Sequence, residues 1–228
     1  MSVEPAPRSG GDAGPSILVA AKAPLPGRAK TRLTPPLPPP LAARLAEAFL
    51  TDVLAAARAV DAGAGLLCRA SDAGALRRRF DGVPLVIQAG PGLTGALASG
   101  LRTGALVVAG DVPGIRPESL RAAGRAGAGI VLAPSHDGGF SLIGMHPFVP
   151  GVLERIRWST GSVLDQAIEA GRAAGLSVTL LDPIPDVDNA ADLAALDLTW
   201  APATRAALEA AGPAAEVLQA HRDRAGRM

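Results

Sequence analysis

Four cationic side chains, those of Lys22, Arg28, Lys30 and Arg32, fall within the single stretch AKAPLPGRAKTRL. Lysine and arginine on a short loop are well suited to holding phosphate oxygens, an arginine fork gripping two at once. The stretch has neither the GxxxxGK[ST] spacing of a Walker loop nor a GxGxxG turn, so a backbone cradle is not expected. Pro24, Pro26 and Gly27 instead stiffen and turn a loop that carries its charge on side chains. A solvated surface loop would hold the same charges. The position directly after an apolar run, with KTRL leading towards a helix, favours phosphate binding.

Carboxylates follow two other apolar runs. In VVAGDVPGIRPESL, Pro113 and Gly114 force a turn that leaves Asp111 at a strand tip. That is where an α/β nucleotide enzyme holds Mg2+ or Mn2+, and equally where an aspartate caps the following turn. In DPIPDVDNAADL, Asp186 and Asp188 alternate along an extended segment, so one is expected to face a site while the other caps a helix starting near Asn189. A metal carboxylate and a helix cap fit Asp188 equally well; Asp192 reads as helix surface.

The fragment APSHDGGFSLIGM sets Ser135, His136 and Asp137 before Gly138 and Gly139. The glycines permit a close backbone approach that aims His136 and Asp137 into a crevice, with the Ser135 and Ser141 hydroxyls available to an acceptor. A tight hairpin explains the glycines as well, and His136 reads more as a surface residue than as an acid or base. In RWSTGS, Trp158 reads as a buried indole and Ser159 and Thr160 as a hydroxyl cap.

Short apolar runs must position these groups: SILVAA, AGLLCRA, PLVIQ, ALVVAG, GIVLAP, FSLIGM and SVTLLD, alternating with helical patterns. Continuous hydrophobicity marks strands covered on both faces, as in a mostly parallel sheet. Leu41, Leu45, Phe49, Val53 and Val60 recur at near-helical spacing and form a stripe to cover that sheet. GIVLAP and FSLIGM stand too close for a crossover helix, so one strand turns back and the sheet is mixed. The prediction is an α/β, Rossmann-like fold whose mixed, mostly parallel sheet is flanked by helices. Ligands bind at the carboxyl ends of such strands, where the polar motifs fall. Residues 1–15 read as a disordered tail, 16–200 as the nucleotide-binding domain and 201–228 as a helical extension opened by Pro202 and Pro213, packed on the body or forming a homodimer contact.

Composition narrows the partners. Lys plus Arg at 22 nearly cancel Asp plus Glu at 21, leaving +1, so no global field draws nucleic acid or a membrane and anion recognition must be local. The one cysteine, Cys68, reads as a buried strand thiol and excludes an intramolecular disulfide, which fits a reducing cytoplasm. No run reaches the ~20 apolar residues of a membrane span, and the first segment lacks a hydrophobic signal region, so a soluble cytoplasmic protein is expected.

Taken in order, ILVAAKAPLPGRAKTRL, GDVP, PSHDGGFSLIGM, WST and DVDNAADL resemble a bacterial family of GT-A-fold transferases labelled arsenosugar-biosynthesis or selenodomain-associated glycosyltransferases. The resemblance runs over residues 16–197. A more distant likeness is to 2-phospho-lactate guanylyltransferases and molybdenum-cofactor nucleotidyltransferases. The resemblance implies that Lys22, Lys30 and Arg32, with Arg28 in the same loop, serve nucleotide phosphates. It further implies that Asp111 and Asp188 hold Mg2+ or Mn2+, and that Asp137, Gly138 and Gly139, with Ser135 and His136, line the acceptor side. Asp111, Lys30 and Asp137 are then the expected catalytic groups. The expected reaction is metal-dependent nucleotidyl transfer from a nucleoside triphosphate to a small phosphorylated or acidic acceptor, releasing pyrophosphate. The alternative is glycosyl transfer from an NDP-sugar, with Asp137 or another carboxylate assisting the acceptor hydroxyl. The sequence departs from the family pattern at Gly92, where an Asp is usual, at Ala96, where an Arg is usual, and at Phe140, where a Tyr is usual. Those departures raise a third possibility, a catalytically silent nucleotide-binding protein.

Overall fold

The structure is a computed structural model that describes residues 16–212; the tail read over 1–15 and the helix read after Pro213 lie outside the described residues. Each of the seven apolar runs is a strand: β1 Ile17–Ala21, β2 Gly65–Cys68, β3 Leu85–Ile87, β4 Leu106–Ala109, β5 Gly129–Pro134, β6 Phe140–His146 and β7 Val178–Leu180. They form one sheet in the order β3-β2-β1-β4-β6-β5-β7. β6 runs antiparallel to both β4 and β5, and the other pairs are parallel. The sheet is therefore mixed for the reason anticipated: the turn between β5 and β6 is too short to return the chain to the starting edge.

The helices are α1 Pro39–Arg58, α2 Ala70–Arg79, α3 Gly92–Leu101, α4 Pro117–Arg125, α5 Pro150–Glu154, α6 Val163–Ala173, α7 Ala190–Ala195 and α8 Pro202–Glu209. Strand side chains alternate between two cores. Ile17, Val19, Leu66 and Val108 pack under Leu50, Val53 and Leu54 of α1, while Leu18, Leu67 and Val107 pack against Leu97 and Leu101 of α3 and Val163 and Ala167 of α6. Both faces of β2 are buried, which is why its run is continuously apolar. Along α1 the stripe Leu41, Leu45, Phe49 and Val53 is buried as expected. Val60 falls beyond the helix, whose last residue is Arg58, and is only partly buried. Cys68 is a buried thiol, pushed up to about 11 by its burial and by the Asp72 charge.

A third apolar cluster matters most for the site. Leu33 and Leu37 from the basic loop join Leu41, Leu45 and Phe49 of α1, and meet Val187, Leu193 and Leu196 from the far end of the chain. The segments carrying Lys30 and Asp188 are thus fixed against one another by packing before any charge interaction is counted.

The start of α8 is secured by a partner on α1. A helix begins with backbone N–H groups that lack internal acceptors and favours a negative charge there. Asp52, buried, accepts from the Ala203 and Thr204 amides at 2.8 and 2.9 Å and from the Thr204 hydroxyl at 2.6 Å. Asp52→Ala strands these donors in a dry site and is expected to cost about 3 kcal/mol, roughly 6–12 °C in Tm for a chain of this size. Thermal unfolding of the variant measures this; a loss under about 1 °C would show the cap contributes nothing. Among the described residues, no helix is long and apolar enough to cross a membrane.

Candidate functional site

The carboxyl ends of four adjacent parallel strands open into one cleft of about 640 Å³. Gln88 follows β3, Arg69 follows β2, Lys22 follows β1 and Gly110-Asp111 follow β4, and all line it. Arg28, Lys30 and Arg32 of the basic loop and Asp188 complete its charged wall. Gly110 is required where it stands, because a Cβ there would collide with the Ala20 carbonyl oxygen of β1. Only glycine lets the chain leave β4 that close to β1 and present Asp111 at the tip.

Asp188 is brought to Asp111 by the backbone: the Val187 amide donates to the Asp111 carbonyl at 2.9 Å. The two readings of Asp188 are resolved by its neighbours. Asn189 caps α7 by accepting from the amides of Ala191 and Asp192, and Asp192 accepts in return from the Asp188 and Asn189 amides, a closed capping box. Asp192 is therefore part of the cap and not helix surface, and the Asp188 carboxylate is released for the site. Lys30 Nζ donates to Asp111 Oδ2 at 2.7 Å and to Asp188 Oδ1 at 3.0 Å, and Arg32 reaches Asp188 Oδ2 at 2.9 Å.

The four loop cations are unequal. The Lys30 side chain is 12% exposed; burial alone would lower its pKa, but the Asp111 and Asp188 carboxylates outweigh that and hold it above the ordinary lysine value. Asp188 is likewise held below the usual carboxylate range: burial opposes this, and Lys30 and Arg32 prevail. Arg28 is 62% exposed and only 3.9 Å from Asp72, and Lys22 is exposed with no ion pair among the described residues. These two retain free capacity for an anion.

Among the described residues, no three His, Cys, Asp or Glu side chains converge as a metal-ligand set. Two carboxylates do converge on a single cationic centre, Lys30 Nζ. Such a pair suits Mg2+ or Mn2+, which bind through one or two carboxylates and take their remaining ligands from water and phosphate. The donor set therefore fits, with Asp111 and Asp188 as the residues that would hold the ion.

Asp186 was underweighted in the sequence. Residues i and i+2 of an extended segment share a face, so with Val187 buried Asp186 lies on the same side as Asp188 and not opposite it; Asp188 lines the cleft and Asp186 does not. Burial, then the charges of Asp111, Asp137 and Asp188, push Asp186 up to about 6. The period-two spacing in DVD was the available signal.

The 135–139 segment is the β5–β6 turn and lies beside the cleft; none of Ser135, His136, Asp137, Gly138 or Gly139 lines it. Asp137 Oδ1 accepts from the Ser135 hydroxyl and the Gly139 amide. Gly138, at φ 82°, passes so close to the Gly161 carbonyl oxygen that a side chain would collide with it. The tight hairpin therefore holds, and so does a close backbone approach at Gly138, but the turn does not bring His136 or Asp137 into the cleft lining. The Ser141 hydroxyl does not face an acceptor: it is buried and donates to the Ile184 carbonyl at 2.7 Å. Trp158 is partly buried, donating from Nε1 to Thr94 Oγ1 at 2.6 Å and meeting Phe140 edge to face. Ser159 and Thr160 cap no helix; the N-cap position of α6 is Ser162, without a side-chain cap bond. Arg69, Gln88 and Ser159 line the cleft but were not assigned to the site from sequence. For the first two the signal was their place directly after a strand.

In the divergent 88–97 stretch, Gln88 spends both amide hydrogens on the Gly90 and Gly92 carbonyls, at 2.6 and 3.2 Å, and has its carbonyl oxygen left to offer. Gly92 has φ 66°, a left-handed conformation that glycine takes without steric cost. Leu93 and Ala96 make this part of the cleft wall apolar.

This architecture is an α/β, Rossmann-like fold of GT-A type. It matches, with a TM-score of 0.79 and 24% identity, the structure of a "putative nucleotide-diphospho-sugar transferase" from Desulfovibrio desulfuricans G20, covering 89% of this chain and 96% of that one. Residues 49–160 match the family described as "Uncharacterized protein conserved in bacteria (DUF2064)". That stretch carries Arg69, Gln88, Asp111 and Ser159. No curated protein matches the chain in sequence.

Proposed function

We propose that the protein is a metal-dependent nucleotidyltransferase, taking a nucleoside triphosphate in the strand-end cleft and passing its nucleotidyl group to a small phosphorylated or acidic acceptor. The observation that carries this reading is the convergence of Asp111 and Asp188 on one cationic centre, beside Lys22, which has no ion pair among the described residues, and the exposed Arg28, held only at 3.9 Å by Asp72. Lys22 and Arg28 bind the outer phosphates. Asp111 and Asp188 hold Mg2+ or Mn2+, which when bound supplies positive charge to the phosphate oxygens. Gln88, after β3, lies three strands away from Asp111 in the sheet order, and with Leu93 and Ala96 of α3 it forms the end left for base and sugar.

In the reaction an acceptor oxygen attacks the α-phosphorus, the bond to the bridging oxygen breaks, and pyrophosphate leaves. Lys30, with Lys22 and Arg28, offsets the charge that accumulates on the leaving group. One cation at ~4 Å and an effective dielectric near 20 is worth up to about 4 kcal/mol before desolvation. Several convergent cations therefore lower the barrier with no covalent intermediate.

The description of the solved neighbour favours a second reading, glycosyl transfer from an NDP-sugar, with the same loop on the leaving diphosphate and Asp137, in the turn beside the cleft, assisting the acceptor hydroxyl. Incubation with the four NTPs, NDP-sugars and phosphorylated or carboxylate acceptors, with Mg2+ or Mn2+, distinguishes the two. Pyrophosphate release is expected; NDP release assigns the glycosyl reaction. Binding without either product identifies a silent nucleotide-binding protein, and absence of binding ends the proposal.

A further inference from the structure

Among the described residues, two that are not glycine hold φ in the left-handed region, Lys30 at 47° and Ser159 at 63°. Both line the same cleft. Side chains resist that conformation because Cβ crowds the following carbonyl, and such residues persist where the surrounding structure holds them, often at functional sites. Lys30 approaches from the α1 side, where Leu33 is anchored. Ser159 approaches from the α3 side, where Trp158 is bonded to Thr94.

The segment around Ser159 is braced at its neighbours. Arg157 donates its amide to Gln166 Oε1, the Thr160 hydroxyl donates to the Arg157 carbonyl, and Gln166 Nε2 reaches Thr160 and Ser162. The Leu164 amide bonds the Gly138 carbonyl, locking the segment to the β5–β6 turn. Of the three hydroxyls at 159, 160 and 162, those of Thr160 and Ser162 are engaged in this bracing, and that of Ser159 has no partner among the described residues. Ser159 is also the one cleft-lining residue contributed by the chain between Asp111 and Asp188. Glycine would adopt this backbone freely; what serine adds is a hydroxyl directed to no internal acceptor.

We infer that Ser159 is a nucleotide-contacting residue, its hydroxyl hydrogen-bonding a ribose or phosphate oxygen from the side opposite the basic loop. The inference rests on the cleft being a nucleotide site. It is tested by titrating GTP, UTP, ATP and CTP, each with Mg2+, into the wild type, Ser159→Ala, Ser159→Gly and Lys22→Ala. For the nucleotide the wild type binds best, both Ser159 variants are expected to weaken binding about tenfold, while unliganded Tm moves by no more than ~1 °C in Ser159→Ala. The 2′-deoxy and 3′-deoxy forms of that nucleotide separate the oxygens: a contact to one ribose hydroxyl makes Ser159→Gly insensitive to that deletion, and a phosphate contact leaves the losses multiplicative for both. Wild-type affinity in both variants overturns the inference. So does loss in Ser159→Ala with wild-type affinity in Ser159→Gly, which would assign the effect to the backbone. If Lys22→Ala weakens binding and the Ser159 variants do not, only this inference fails; if the wild type binds none of the four, the nucleotide reading falls and the inference with it.

Discussion

Asp111→Asn is expected to reduce kcat/KM about a thousandfold while leaving the protein folded. Asparagine keeps the shape of the side chain and removes its charge. A unit charge about 4 Å from a cation, at an effective dielectric near 20, is worth roughly 4 kcal/mol, which corresponds to about three powers of ten in rate. The fold has little stake in the carboxylate. The hydrogen bond from the Val187 amide goes to the Asp111 backbone carbonyl, which the substitution leaves in place. Lys30 retains Asp188 at 3.0 Å. Asp111 is about one-third exposed, 33% of its side chain, so the pair is partly solvent-screened and its loss costs no more than ~1 kcal/mol. Turnover should therefore collapse with Tm nearly unchanged. A chelator should reproduce the loss in the wild type, and excess Mg2+ should restore activity. A variant that keeps activity within tenfold of wild type, together with indifference to chelation, would remove the metal role from Asp111.

Lys30→Met should separate two quantities that ordinarily move together. Turnover is expected to fall about a hundredfold or more, since a cation facing the leaving group is lost. Affinity for Mn2+ in the absence of nucleotide is expected to rise, because Lys30 Nζ holds the two carboxylate oxygens that would ligate the ion. With the ammonium gone, Asp111 and Asp188 face each other with only Arg32 as counter-charge on Asp188, and a divalent cation relieves that repulsion. Titration of MnCl2 by calorimetry and steady-state kinetics on the same preparation measure both. Unchanged Mn2+ affinity with unchanged turnover would reduce Lys30 to a structural ion pair with no part in the reaction.

The scaffold was readable because its signal is local. Each strand is a continuous apolar run, and the reversal at β6 follows from the few residues separating Pro134 from Phe140. Lys30, Asp111 and Asp188 were also singled out from their neighbourhoods, but that one ammonium bridges both carboxylates was not legible. It depends on the Val187–Asp111 backbone bond and on the apolar cluster beneath the basic loop, which join distant parts of the chain. Hydroxyls were the least readable. Ser141 finds an acceptor at Ile184, and Ser159 is defined by a backbone angle that no residue type announces. Asp192 was misread because a short helix offers too few residues to fix its phase, whereas the N-x-x-D spacing from Asn189 carried the cap.

The buried Asp52 clasp gives α8 a bearing on the cleft. Asp52 lies three residues, one turn, along α1 from Phe49, and Phe49 forms part of the cleft wall. Opening α8 leaves the Asp52 carboxylate unpaired one turn from that wall, so local unfolding at the end of the described chain is expected to couple to the wall where a ligand would sit. Linkage is reciprocal: a ligand that steadies Phe49 is expected to slow amide hydrogen exchange at Ala203 and Thr204, so exchange at α8 measured with and without nucleotide would report occupancy from a distance.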